Sequence, residues 1–315
     1  MPLVSNPEYS DHNLVFDVHN LVGRCEGGPA GTLMNDQSYP TNAIDIGLSK
    51  IKAAANYVGL KSGKRVCIVM SAQENRAVRQ AHYPLYKGKR PVKAKLVLPL
   101  TWHDDTERDV EYNGVRDLME LMQYIPSCTI TMPENNGETD DAIASFVHRS
   151  NKPCTVVSED RDMWALMSDR VSVISKPDKA FTIADLEAKF GITEPSKLAL
   201  AKIIYGDESD NVSKAVKGVT PRVIGEEIIR CTKNPGERQY AFALFRELEA
   251  RRNERLISRL FAKQTDIAFM ERWIRLRPVR LVHRYSARNI QALDRLLSWY
   301  GINKKKAGFL AFAQS

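Results

Sequence analysis

Several signatures are missing from this chain, and each lack closes a class of function. Its 315 residues contain no apolar run approaching the ~20 that cross a bilayer, and the opening MPLVSNPEYSDHN has no basic segment followed by an apolar one. Membrane insertion and secretion are therefore not expected; a cytoplasmic protein is. The five cysteines (Cys25, Cys67, Cys128, Cys154, Cys231) are widely spaced and never paired as CxxC, as befits free thiols in a reducing compartment. The six histidines form no HExxH or HxxxH pair, which argues against a histidine-based zinc hydrolase. GLKSGKR at 59–65 falls one residue short of a GxxxxGK phosphate loop and has Arg65 where Ser or Thr is required. Internal repeats and low-complexity linkers are also absent.

What is present is a globular composition, 43% hydrophobic and 27% charged, with length for two domains or one large one. Charge divides unevenly. Residues 1–210 carry 24 Lys and Arg against 29 Asp and Glu, net −5, whereas residues 211–315 carry 22 against 9, net +13. A basic half suits a polyanion and an acidic half suits cations; a helical tail with solvated arginine faces is the plainer alternative.

Short apolar, β-branched runs at Leu14–Phe16, Val66–Met70, Thr129–Met132, Thr155–Val157 and, more weakly, Val171–Ile174 read as buried strands. Helical patterns lie between them, at Thr41–Tyr57, Val115–Tyr124, Thr139–His148 and Met163–Ser168. This alternation predicts an α/β fold with a mainly parallel sheet flanked by helices, and a site beyond the carboxyl ends of the strands. After about residue 180 strand signals stop, and the pattern predicts an all-α tail. There, Trp273, Trp299 and Tyr300 sit at helical spacing among Leu and Ile, as core residues do.

Acidic residues follow the strands. Asp17 ends the first; Glu138, Asp140 and Asp141 follow the strand at 129–132 and open a helix; Asp160 and Asp162 follow Val156-Val157-Ser158; Asp207 and Asp210 lie in GDESDN. Each group alone has a structural explanation, as a helix start whose acids complement the macrodipole or as an Asx-rich loop. Together, eight carboxylates converging on one cleft need a neutralising partner, and oxygen ligands without His or Cys select Mg²⁺ or Mn²⁺.

Taken in order, LVFDVHNL, YKGKRP, GETDDAIAS, VVSEDRDMWAL and IYGDESDNVSKAVKGVTPRVIG resemble the flap endonuclease and 5′ to 3′ exonuclease superfamily, most closely the bacteriophage ribonuclease H type of 5′ nuclease. The resemblance runs from about residue 14 to 230. It implies a PIN-like nuclease core at 1–200 with a basic helical arch near 76–120, and a DNA-binding helical domain at 201–315 containing a helix-three-turn-helix. It further implies that Asp17, Glu138, Asp140, Asp141, Asp160, Asp162, Asp207 and Asp210 surround two divalent metals, and that a K⁺ ion sits at the C-terminal hairpin. Two departures stand out. The second strand runs into Ser71 where the family carries an aspartate, and VSKAVKGVTP replaces the usual IPGVxGIG.

From Arg76 to Lys95 there are seven basic residues and no acid, with Tyr83 and Tyr86 interleaved, a pattern suited to a splayed single strand through phosphate pairing and base stacking. By resemblance Lys87 and Arg90 flank the scissile phosphate as catalytic groups, with Tyr86, Lys89 and Lys93 as neighbouring nucleic-acid contacts. Lys214, Lys217, Gly218, Thr220 and Arg222 surround a turn before a predicted helix, where backbone N–H groups cradle phosphate. Lys304-Lys305-Lys306 reads either as a solvated run or as a DNA contact. The implied substrates are branched or 5′-ended duplex DNA and RNA:DNA hybrids, with primer or flap removal in replication and single-strand-binding or clamp proteins of a replisome as partners. A PIN-class ribonuclease and a catalytically impaired DNA-junction binder, the latter resting on Ser71, are the alternatives.

Overall fold

A computed structural model of the chain describes residues 10–22, 33–62, 66–71, 77–88, 96–101, 104–125, 128–134, 137–176, 179–215, 217–218, 259, 262–285 and 289–314. In chain order these form β1 (His12–Asp17), α1 (Val18–Val22), α2 (Asn42–Ser62), β2 (Val66–Ser71), α3 (Ala77–His82), β3 (Val97–Thr101), β4 (Glu107–Glu111), α4 (Gly114–Met122), β5 (Cys128–Pro133) and α5 (Thr139–Arg149). After β6 (Cys154–Val157) a 3-10 helix spans Arg161–Leu166, followed by β7 (Val171–Lys176), β8 (Lys179–Ala180), α6 (Ile183–Phe190) and α7 (Leu198–Tyr205). The described tail holds α8 (Gln264–Ile274), β9 (Leu281–Tyr285), α9 (Ile290–Trp299) and α10 (Asn303–Gln314).

Seven strands build one sheet in the order β8-β7-β6-β1-β2-β5-β9. The five central strands are parallel, and the edges β8 and β9 are antiparallel. β2 is buried along its whole length, and β1 from Asn13 onward. Alternate residues therefore feed two cores. Leu14, Phe16, Ile68 and Met70 pack with Ile44 and Leu48 of α2 and Leu118 of α4; Val15 and Val69 pack on the other face with Ile143 of α5 and Ile203 of α7. Burial on both faces is the reason these strands read as unbroken apolar runs. From β1 the chain moves outward to β2 and β5, then returns to β6 and β7 on the opposite side. This reversal opens a crevice beyond the carboxyl ends of β1, β2 and β6.

Two expectations are corrected. The tail is not all helical: β9 pairs with β5 from Thr129↔Tyr285 to Pro133↔Leu281. Leu281-Val282-His283-Arg284-Tyr285 is short and largely exposed, so it lacks the apolar signal of a central strand, and its strand state comes from the free edge of β5. Within the span expected to be a helical arch, the described residues form the six-residue α3, a β3–β4 hairpin with Val97↔Glu111 and Thr101↔Glu107 paired, and the first turns of α4. Residues 89–95 and 219–258, which carry Lys89, Arg90, Lys93, Thr220, Arg222 and the expected helix-three-turn-helix, lie outside the described residues.

The C-terminal helices close the α2 face. Leu297, Tyr300, Phe309 and Phe312 enter the core there, and the Trp299 indole N–H donates to the Thr101 carbonyl (3.2 Å) at the hairpin base. Trp273 is not among the side chains described. No helix among the described residues is long and apolar enough to cross a membrane.

Candidate active site

β1 and β6 deliver their acids side by side. The Asp17 carboxylate accepts from the Asn20 backbone N–H (3.1 Å) and the Ser158 hydroxyl (3.0 Å), and that same hydroxyl accepts the Asp160 N–H (3.0 Å). Asp160 in turn caps the 3-10 helix by accepting the Asp162 N–H at 2.9 Å. Ser158 thus fastens the two strand ends together. Burial pushes the Asp17 carboxyl up to about 6, with the Asp160 charge adding to the shift against the two hydrogen bonds. Asp140, in the first turn of α5, is raised well above the usual carboxylate range by burial and by Asp160, Asp17 and Glu138, while Lys87 pulls it back. Asp160 is raised by burial and by Asp162.

Glu138, immediately before α5, is gripped by cations. It contacts Arg79 Nη1 at 2.5 Å and Lys87 Nζ at 3.1 Å, and accepts the Tyr86 hydroxyl at 3.1 Å. Arg79 extends its other nitrogen to Asp141 Oδ1 (2.7 Å), which also accepts the Arg277 backbone N–H (2.8 Å). Asp141 is fully buried and faces these arginine groups, whereas Asp140 faces Asp17 and Asp160. Burial disfavours the charged forms of Arg79 and Lys87, but the surrounding carboxylates outweigh it and both cations are held firmly protonated.

A second cluster lies alongside. Asp162, Asp207 and Asp210 place carboxylate oxygens within 4.8 Å of one another. Lys202, from α7, contacts Asp162 and Asp207 and lies 3.6 Å from Asp210. Asp210 is raised by burial and by Asp162; for Asp207, Lys202 and the Ser209 hydrogen bonds outweigh burial and lower it. The loop is closed by a reciprocal backbone pair between Asp207 and Val212 (2.8 and 2.7 Å). Gly206 enters it at φ +81°, and a Cβ there would meet Lys214 Cγ at 2.8 Å, so a larger residue would displace the loop.

Two of these placements, at Tyr86 and Lys87, differ from the reading of the sequence. Tyr86, expected to offer its ring for stacking, is 1% exposed and spends its hydroxyl on Arg79 and Glu138. Lys87 is likewise buried, at φ +50°. Lys214 and Lys217 are exposed, and Gly218 takes φ +88°. Ser71 ends β2 in register with Asp17, is buried, and its Oγ has no hydrogen-bond partner among the described residues. Sequence reasoning missed Arg79 and Lys202 as neutralising groups. Lys202 had a visible signal, a lone cation within the apolar LALAKIIY.

The donor set fits a divalent metal. Among the described residues Asp162, Asp207 and Asp210 bring hard carboxylate oxygens together beside Lys202, and burial with mutual repulsion raises Asp17, Asp140, Asp160 and Asp210, a cost that a bound cation would remove.

Comparison with known proteins agrees with this geometry. The family profile described as 5′-3′ exonuclease, N-terminal resolvase-like domain, matches residues 12–191, more than half of the chain. The thermostable DNA polymerase I of Thermus aquaticus is 34% identical over 116 residues, 35% of this chain and 14% of the polymerase. That of Thermus thermophilus is 25% identical over 210 residues, 65% of this chain and 22% of the polymerase. The chain therefore spans less than a quarter of these curated relatives. Among solved structures, a mutant T5 5′-exonuclease is similar with a TM-score of 0.54 at 15% identity, covering 97% of this chain and all of that one. The bacteriophage T5 flap endonuclease, in a pseudo-enzyme-product complex with DNA and metal ions, gives 0.53 at 16% identity, covering 96% and 100%. At such identities the likeness is one of fold. The profile match across the sheet and its acidic strand ends carries the assignment: the chain belongs to the 5′-3′ exonuclease family, through its N-terminal resolvase-like domain.

Proposed function

We propose that this chain is a structure-selective 5′ nuclease that hydrolyses phosphodiester bonds in branched or 5′-ended duplex DNA and in RNA:DNA hybrids, with two Mg²⁺ or Mn²⁺ ions. The observation that carries the reading is that Asp17, Glu138, Asp140 and Asp160 follow the carboxyl ends of parallel strands, beside a second group, Asp162, Asp207 and Asp210, with the buried Lys87 ammonium 3.1 Å from Glu138. Bound there, divalent ions supply an acidified water and charge neutralisation for in-line displacement at phosphorus. Net, a water oxygen replaces one ester oxygen on phosphorus and the departing oxygen leaves with a proton.

The chain's own residues supply the rest. Asp17 and Asp160, fastened by Ser158, form a rigid acidic floor. Lys87 brings a fixed positive charge to the same floor, where a phosphate gaining negative charge is stabilised. Arg79 holds Glu138 and Asp141 in place. The basic segment containing Lys89, Arg90 and Lys93 guides the 5′ strand, and the +13 tail, with Lys214, Lys217 and Arg222, grips the duplex by its phosphates. A K⁺ ion at the hairpin around Gly218, a role in primer or flap removal with replisome partners, and a cytoplasmic setting complete the proposal.

The neighbour bound to DNA and metal ions supports this reading. The impaired-binder alternative draws on Ser71, which brings a hydroxyl where the crevice would otherwise gain a carboxylate. One experiment separates them: a labelled 5′ flap, an RNA:DNA duplex and single-stranded RNA are incubated with the chain and Mg²⁺. The proposal expects Mg²⁺-dependent cleavage of the first two, lost in Asp160→Asn while duplex binding persists. Binding without cleavage would establish the junction binder, and cleavage confined to single-stranded RNA the PIN-class ribonuclease.

A further inference from the structure

The segment presenting Lys87 and the loop presenting Asp207 and Asp210 are far apart in sequence, yet three hydrogen bonds join them. The Lys87 backbone N–H donates to the Asp210 carbonyl (3.0 Å). The Asn211 side-chain amide donates to the Leu85 carbonyl (2.8 Å), and the Tyr83 hydroxyl donates to the Asn211 carbonyl (3.0 Å). Donors run in both directions across the junction, so neither segment can slide without breaking bonds to the other.

Both sides of this junction adopt unusual backbone. Lys87 takes φ +50° and Asn211 φ +57°, a left-handed conformation that is strained for a lysine and less so for an asparagine. At Lys87 that conformation turns the N–H toward Asp210 while the ammonium reaches Glu138 Oε1 at 3.1 Å. The turn is closed within itself by Tyr86 N–H to the Tyr83 carbonyl (2.9 Å) and Gly88 N–H to the Leu85 carbonyl (3.0 Å). The Gln80 side-chain amide donates to the Tyr86 carbonyl (3.0 Å), and Asn211, Asp210 and Tyr83 carry the bonds that join this turn to the acidic loop. Lys87 serves the first acid group and Asp210 the second, so the junction sets the position of one group's cation against the other group's carboxylates.

We propose that Asn211 and Tyr83 are positioning residues that lock the Leu85–Lys87 turn onto the Asp207–Asn211 loop, so that the Lys87 ammonium and the Asp162, Asp207 and Asp210 carboxylates behave as one preorganised unit. The inference rests on the nuclease reading above. It makes Asn211, rather than a metal-facing carboxylate, the residue through which the basic segment registers with the second acid group.

The test uses Asn211→Gly, which keeps the positive φ accessible but removes the side chain, Asn211→Asp, which keeps the shape but not the N–H donors, and Tyr83→Phe. Flap cleavage in saturating Mg²⁺ is measured for each, alone and in a Lys87→Ala background, together with amide hydrogen exchange at Lys87. Each Asn211 variant is expected to lower kcat by about 10- to 100-fold with KM little changed, as slight misplacement of a catalytic group does. Lys87 amide exchange should accelerate at least about tenfold while melting temperature stays near wild type. In the Lys87→Ala background the Asn211 substitutions should cost little more, because the group they position is gone. Unchanged kcat despite an unprotected Lys87 amide, or a full additional loss in the Lys87→Ala background, would overturn the inference. A wild-type chain that leaves the flap intact would overturn the nuclease reading itself, an outcome distinct from active wild type with indistinguishable variants.

Discussion

Replacing Ser71 by aspartate would put a second carboxylate directly beside Asp17, because the two residues are paired across β2 and β1 and project from the same face of the sheet. Neighbouring strands lie about 5 Å apart, and two unit charges at that distance repel by roughly 3 kcal/mol at an effective dielectric of about 20. Burial adds to this cost, since Ser71 is enclosed and Asp17 already resists ionisation. In EDTA near neutral pH the variant should therefore unfold about 3 kcal/mol or more too easily in a urea titration. Mg²⁺ should restore most of that loss, because an ion bound only by the fold stabilises it by about 2.7 kcal/mol at 100 times its dissociation constant. The Mg²⁺ concentration for half-maximal flap cleavage should fall as well. Ser71→Asn supplies the same shape without charge, and Ser71→Ala removes a buried hydroxyl that has no partner among the described residues, a change expected to be neutral or stabilising. Superimposable metal titrations for wild type and Ser71→Asp, with Ser71→Asp and Ser71→Asn equally stable in EDTA, would refute the reasoning. They would mean that the β2 terminus lies outside the field of the metal site.

Three further outcomes follow from the same geometry. Arg79→Ala leaves Glu138 and Asp141 buried without their principal cation and should cost about 3–5 kcal/mol in denaturant unfolding; a loss below about 1 kcal/mol would contradict the pairing. Because the folded Asp17 carboxyl is pushed up to about 6 from 3.8, metal-free wild type should gain stability relative to Asp17→Asn as pH falls through 6 toward 3.8, and saturating Mg²⁺ should abolish this gain; a calorimetric difference that shrinks on acidification in EDTA would have the wrong sign. Charge reversal at Lys214, Lys217 and Arg222 together should flatten the slope of log K for duplex binding against log salt by up to about three units, while an unchanged slope would make these charges ordinary solvated surface.

Much of the fold is legible in the sequence for a simple reason. Central parallel strands are buried on both faces, so Leu14–Phe16, Val66–Met70, Thr129–Met132 and Thr155–Val157 had to be continuous apolar runs, and each is a strand within one or two residues. Helices at 183–190 and 139–149 carry their own start signals, the Thr182–Asp185 capping box and the acids opening α5. The acids at strand ends were equally visible, because burying a carboxylate is costly enough that its position in a pattern is informative.

What only tertiary structure decided concerns partners rather than propensities. β9 is a strand because β5 has an open edge, and no local feature of Leu281–Tyr285 demands it. Tyr86 is a brace for Arg79 and Glu138 because the turn before it folds back onto the Asp207–Asn211 loop, which sequence separation concealed. Asp140 and Asp141 are adjacent in the chain, yet the helical turn directs one toward Asp17 and Asp160 and the other toward Arg79 and Arg277. The sequence by itself determined which segments could be buried, where negative charge would gather and which half would carry the excess of Lys and Arg, since these depend on composition and short-range period. The pairing of each charge, the neutralisation of the second acid group by Lys202 and the register of Lys87 against Asp210 were settled by the tertiary structure alone, because Coulomb and hydrogen-bond energies depend on distances between atoms that chain order does not specify.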